Sequence, residues 1–252
     1  MRLPDWRREI EALTGGRIVT VPVITDKEQN VLRIPPEFPG RAVVRNLLLQ
    51  DRFVAQFVRA HALNVNYAGS EGVFHFILLN LAMAGDWKEN EEGLLGHEYG
   101  HIWLNALGYS SPRFEAAGAA PCVLIHAGDV VQHVLIRAET KRRGFDYLSF
   151  WFRNIERWMS ESANQPAPAD PCIRVQLVSM YLDTVLGARE GEWSRMEEFR
   201  KRVKQVSSEG IGLSEELEKL LGGLDLWDRS HYEYALQRSI EVLALVHTPQ
   251  TR

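Results

Sequence analysis

Apolar positions follow a strand-like spacing near the N-terminus and a helical spacing over most of the remainder. Residues 4–14 read as a short helix, opened by Pro4 and closed by Gly15-Gly16. Ile18–Ile24 and Val31–Ile34 are β-branched runs flanking the polar segment Asp26–Asn30, which predicts a hairpin. Pro35–Gly40 breaks the pattern. Leu48, Phe53, Val54 and Phe57 then recur at three- and four-residue spacing, predicting a helix over Asn46–Leu63. Gly72–Asn80 is a short, continuous apolar run with aromatics, and so reads as a strand. Asn90 is placed to cap a helix over Glu91–Leu107, with acids in its first turn and Gly108 just beyond its end. Pro121 opens a long helix to about Arg143, and a third helix, over Asp146–Ser160, carries a stripe of Leu148, Trp151, Phe152, Ile155 and Met159 assigned to core. After the linker-like Ser162–Pro171, helical spacing returns at about 172–186, 191–207, 213–221 and 229–246. The expected fold is α+β and predominantly helical, with a boundary between residues 1–162 and 172–252.

Composition adds bounds rather than chemistry. The chain has 252 residues, 45% hydrophobic and 25% charged, with a net charge of −4, an ordinary globular profile. Its basic residues are dispersed, giving no footprint for nucleic acid. Lys141-Arg142-Arg143 closes a predicted helix, where it complements the negative end of the dipole. No apolar stretch is long enough to span a bilayer and no apolar leader opens the chain, so the expectation is a cytoplasmic protein without membrane contact. Cys122 and Cys172 match no metal or redox spacing and read as buried free thiols.

The chemistry lies in His97-Glu98-Tyr99-Gly100-His101, in the middle of the helix expected over Glu91–Leu107. Residues four apart share a helix face, so both imidazoles reach one metal ion, with Glu98 beside them to accept a proton from an activated water. A catalytic zinc takes a third protein ligand. The downstream Gly and His of the longest form of this motif are replaced by Leu104 and Leu107. The next helix offers His126, Asp129 and His133 within about 60° of one another around its axis. His126 and His133 are about 10 Å apart along that axis, too far to bind the same ion. His133, and after it Asp129, are the leading candidates for the third ligand, one binding the metal and the other orienting an imidazole; Glu139 points about 120° away from His133 and ranks lower. His61, His75, His231 and His247 lack such context.

The run Val73–Asn80, the stretch Leu94–His101 and the ligand-bearing helix after it together resemble the zincin metallopeptidases, and most closely their gluzincin-like group. The resemblance covers about residues 70–145, and departs from the group where His133 or Asp129 stands in place of its usual Glu. It implies a small N-terminal sheet, an active-site helix and a helical C-terminal lobe. It also implies zinc on His97 and His101, Glu98 as general base, and a peptide or protein substrate pairing with an edge strand at residues 73–79. Tyr109, His126, Arg137, His231 and Tyr232 are all chemically able to stabilise the oxyanion. The alternative is a zincin scaffold without proteolytic activity that acts by binding or regulation.

Overall fold

The computed structural model describes residues 2–26, 31–33, 41–50, 54, 57, 58, 60–112, 119–146, 148–162, 170–187 and 194–248. The protein is α+β and mostly helical. It forms two units: Met1–Ala106 with Thr140–Phe150, and Leu107–Glu139 with Trp151–Arg252. These bounds differ from the expected break at the Ser162–Pro171 linker, because the chain rejoins the first unit at residues 140–150.

The first unit is built on a four-stranded sheet of order β2-β1-β4-β3, with β1 at Arg17–Asp26, β2 at Val31–Arg33, β3 at Ala62–Gly69 and β4 at Gly72–Asn80. The expected hairpin is present: β2 pairs antiparallel with the last residues of β1. β4 runs parallel to β1 and antiparallel to β3, so it is a central strand and not the expected edge. Its sequence carries the reason, since Phe74–Asn80 is buried at every position, as a strand covered on both faces requires.

Strand β3 corrects the helix expected to run to Leu63. Part of that helix falls outside the described residues, but α2 spans Arg41–Leu48 and Ala62–Gly69 is extended. Leu63, Val65 and Tyr67 alternate onto one face of the sheet, where they pack with Phe74, Phe76, Val21, Val23 and Val44. Asn64 and Asn66 fall on the other face; the Asn66 side-chain oxygen lies 2.7 Å from His75 Nδ1.

Helix α1 (Leu3–Thr14) packs against α3 (Glu91–Ala106). The fully buried Trp6 meets Tyr99 and Trp103 edge-on and stacks on Phe145 with ring centroids 5.9 Å apart. Asn90, expected as the α3 cap, ends a 3₁₀ turn and donates its side-chain amide to the Asp146 carbonyl at 2.7 Å. Helix α4 spans Pro121–Arg143 and ends at Gly144, whose φ of 84° suits a residue without Cβ. Arg143 does more than answer the dipole. It is buried, donates to both Glu9 carboxylate oxygens at 2.9 Å, and lies 4.4 Å over the Trp6 ring.

The second unit is a helical array. It contains most of α4, α5 (Leu148–Ser162) from Trp151 on, α6 (Pro171–Gly187), α7 (Met196–Val206), α8 (Ser208–Gly222) and α9 (Arg229–His247). Helix α6 is its centre: Val175 and the run Leu177–Thr184 are buried. Phe199, Val203, Ile211 and Leu243 from the later helices pack around it. Cys122 and Cys172 are not free thiols; they form a disulfide between the first turns of α4 and α6. A separation of 50 residues gives no hint of this pairing in sequence. Packing of the helices brings the two Cα atoms to 5.7 Å, within bridging distance. No helix among the described residues is long and apolar enough to cross a membrane.

Candidate metal centre

Helix α3 is buried nearly all round, from Gly93 through Leu104, so the polar residues within it need a structural or chemical partner. His97 and His101 are one turn apart and their Nε2 atoms lie 3.2 Å from each other, the rings meeting edge-on. Glu98, 6% exposed, is held from the neighbouring strand: Asn64 of β3 donates its side-chain amide to the Glu98 carboxylate and, at 3.2 Å, to the Glu98 carbonyl. Small residues let other groups close on this helix. A Cβ at Gly93 would lie 1.9 Å from the Asp146 carbonyl oxygen, and one at Gly96 would lie 3.4 Å from the Phe145 ring.

On α4, His133 is 6% exposed and its Nδ1 lies 2.9 Å from Asp183 Oδ2, a buried contact reaching to α6. Arg137, one turn further along α4, donates Nη1 to the other Asp183 oxygen and, at 2.8 Å, to the Asp183 carbonyl. Burial pushes the Asp183 carboxyl up, but the Arg137 guanidinium and the His133 ring outweigh it and hold the group below its ordinary value. An imidazole whose Nδ1 is turned to a carboxylate is the usual arrangement behind a metal-bound histidine.

His97 and His101 on α3 and His133 on α4 are a group of donors that could hold a metal ion. A set of three neutral imidazoles is a catalytic zinc donor set that leaves a fourth position for water, so the chemistry of these donors fits the ion. Asp129, the alternative third ligand, is not in this group; its carboxylate lies 3.7 Å from His126 Nδ1 and its side chain is 37% exposed. His133 Nδ1 faces Asp183.

Two residues of the site were not anticipated. Asp183 is the only acid in α6, and a single carboxylate in so apolar a helix was the signal available. Asn64 carried no signal, because it follows the helix expected to end at Leu63 in a stretch given no element of its own. The five oxyanion candidates all have partners within the second unit. Tyr109 donates to the Trp227 carbonyl at 2.7 Å, Tyr232 to the Ser110 carbonyl at 3.3 Å, and Arg137 to Asp183. His126 faces Asp129, and His231 Nδ1 lies 3.3 Å from the Asp225 carbonyl.

The fold and the donors thus define a mostly helical α+β protein with a three-histidine group. No protein-family model, curated protein or solved structure matches the chain.

Proposed function

We propose that this protein is a zinc-dependent metallopeptidase of zincin-like design, with His97, His101 and His133 as ligands and Glu98 as general base. The observation that carries the reading is the convergence of three imidazoles with a carboxylate next to one of them in sequence. Zinc held there would supply Lewis-acid polarisation of the scissile carbonyl and acidify a water. Glu98 is the residue that would accept a proton from the attacking water and return it to the leaving nitrogen. Asn64 keeps the Glu98 carboxylate in place between these two transfers. Asp183 fixes the tautomer and ring orientation of His133, with Arg137 holding Asp183 in turn. The substrate edge moves from β4 to β3, which among the described residues pairs on one side only. An extended peptide laid along Ala62–Gly69 would bind through backbone hydrogen bonds with little sequence selectivity.

Metal analysis of purified protein tests the site: about one zinc per chain is expected, lost in His97→Ala, His101→Ala and His133→Ala. Glu98→Gln should keep the metal while lowering hydrolysis of a peptide library by about 10²–10⁴-fold. Absence of metal refutes the centre. Metal without cleavage by the wild type refutes the peptidase and leaves a binding or regulatory scaffold.

A further inference from the structure

A second donor cluster lies apart in sequence from the three histidines. Cys122, Cys172 and His247 each offer a ligand atom, and the three atoms lie within 4.8 Å of one another. We propose that Cys122, Cys172 and His247 form a redox-gated zinc site, closed while the Cys122–Cys172 disulfide stands and opened when it is reduced.

The fold presents these donors in an unusual way. Cys122 follows Pro121 at the start of α4, and Cys172 follows Pro171 at the start of α6, so the same Pro-Cys pair opens both helices. Thiols at helix N-termini ionise more readily, because the free N–H groups there favour a negative charge. The first turn of α6 is fixed by Asp170, whose carboxylate accepts from the Cys172 N–H at 2.9 Å. His247 is the last residue of α9, and its carbonyl accepts from Arg174 at 3.3 Å, which anchors the end of α9 beside the start of α6. All three donors are half-buried, open enough for a small reductant and enclosed enough to favour a metal over bulk water.

The chemistry balances with a dithiol as reductant. Two electrons pass to the disulfide, the Sγ–Sγ bond breaks, two thiols form, and the reductant closes to its own disulfide. Zinc binding then releases both thiol protons to solvent. Two thiolates neutralise the divalent charge, the imidazole supplies the third donor, and a water fills the fourth position.

Cobalt titration of the full chain tests the proposal, since cobalt reports thiolate ligation by a charge-transfer band in the near ultraviolet. The oxidised wild type should show no such band. After reduction with a non-thiol phosphine under anaerobic conditions, cobalt added up to two equivalents, one for each proposed centre, should develop it. The band should persist in His133→Ala, which removes the three-histidine centre, and vanish in Cys122→Ser. His247→Ala should weaken cobalt binding at this site at least tenfold. Absence of the band in the reduced wild type, or unchanged affinity in His247→Ala, overturns the proposal. So does loss of the helical circular-dichroism signal on reduction, because only the folded helices bring the donors together.

Discussion

Replacing Asp183 by Asn tests how the buried side of the centre is held. Asp183 is 2% exposed and accepts from Arg137, with His133 Nδ1 2.9 Å from its other oxygen. Asn keeps the shape and one acceptor but removes the charge, so the buried guanidinium loses the carboxylate that compensates it. Breaking one side of such a pair costs about 3–5 kcal/mol, and the retained acceptor places this variant near 3. In a chain of this size each kcal/mol moves the melting temperature by about 2–4 °C, so calorimetry should record a drop of roughly 6–12 °C. Zinc affinity should fall by about 10–100-fold, since His133 loses the anion that orients it. The control is the pair Asp183→Leu with Arg137→Met. Replacing a buried ion pair by apolar groups is close to neutral, so most of the stability should return while zinc affinity stays low. A melting temperature for Asp183→Asn within 2 °C of wild type, or a double variant no more stable than the single one, would refute this account.

Three further outcomes follow from the packing. Burial pushes the Tyr232 hydroxyl up to about 12, so the folded state keeps a proton that the unfolded chain loses near pH 10. That contribution, about 2–3 kcal/mol, is complete below pH 10 and disappears as pH rises towards 12; melting temperatures from pH 9 to 12 should fall less steeply in Tyr232→Phe. Gly93→Ala would set a Cβ 1.9 Å from the rigid Asp146 carbonyl, and chemical denaturation should show a loss of about 1–3 kcal/mol or more. Cys122→Ser with Cys172→Ser opens a loop with a separation of 50 residues; chain entropy puts the loss at up to about 4 kcal/mol, measurable by urea titration against the oxidised wild type.

Much of this molecule was legible from local rules. Helices with end signals, such as Pro121–Arg143 between Pro121 and Gly144, emerged at their expected bounds because capping and φ preferences act within a few residues. The His97–His101 spacing placed two imidazoles on one face for the same reason. Strand β3 was lost because three alternating positions, Leu63, Val65 and Tyr67, followed a helical spacing without a break signal. The continuous apolar run of β4 identified a strand, yet its central position follows from its neighbours β1 and β3, which no single-strand pattern specifies.

The sequence by itself determined the helical class, the strand Gly72–Asn80 and the paired histidines, since each depends on periodicity and spacing within one segment. Only the tertiary structure put Asp183 behind His133, laid Asn64 on Glu98 and joined Cys122 to Cys172. These partners lie 34 to 50 residues apart in the chain. Their meeting is set by how whole helices and strands bury their apolar faces, a choice that local sequence does not encode.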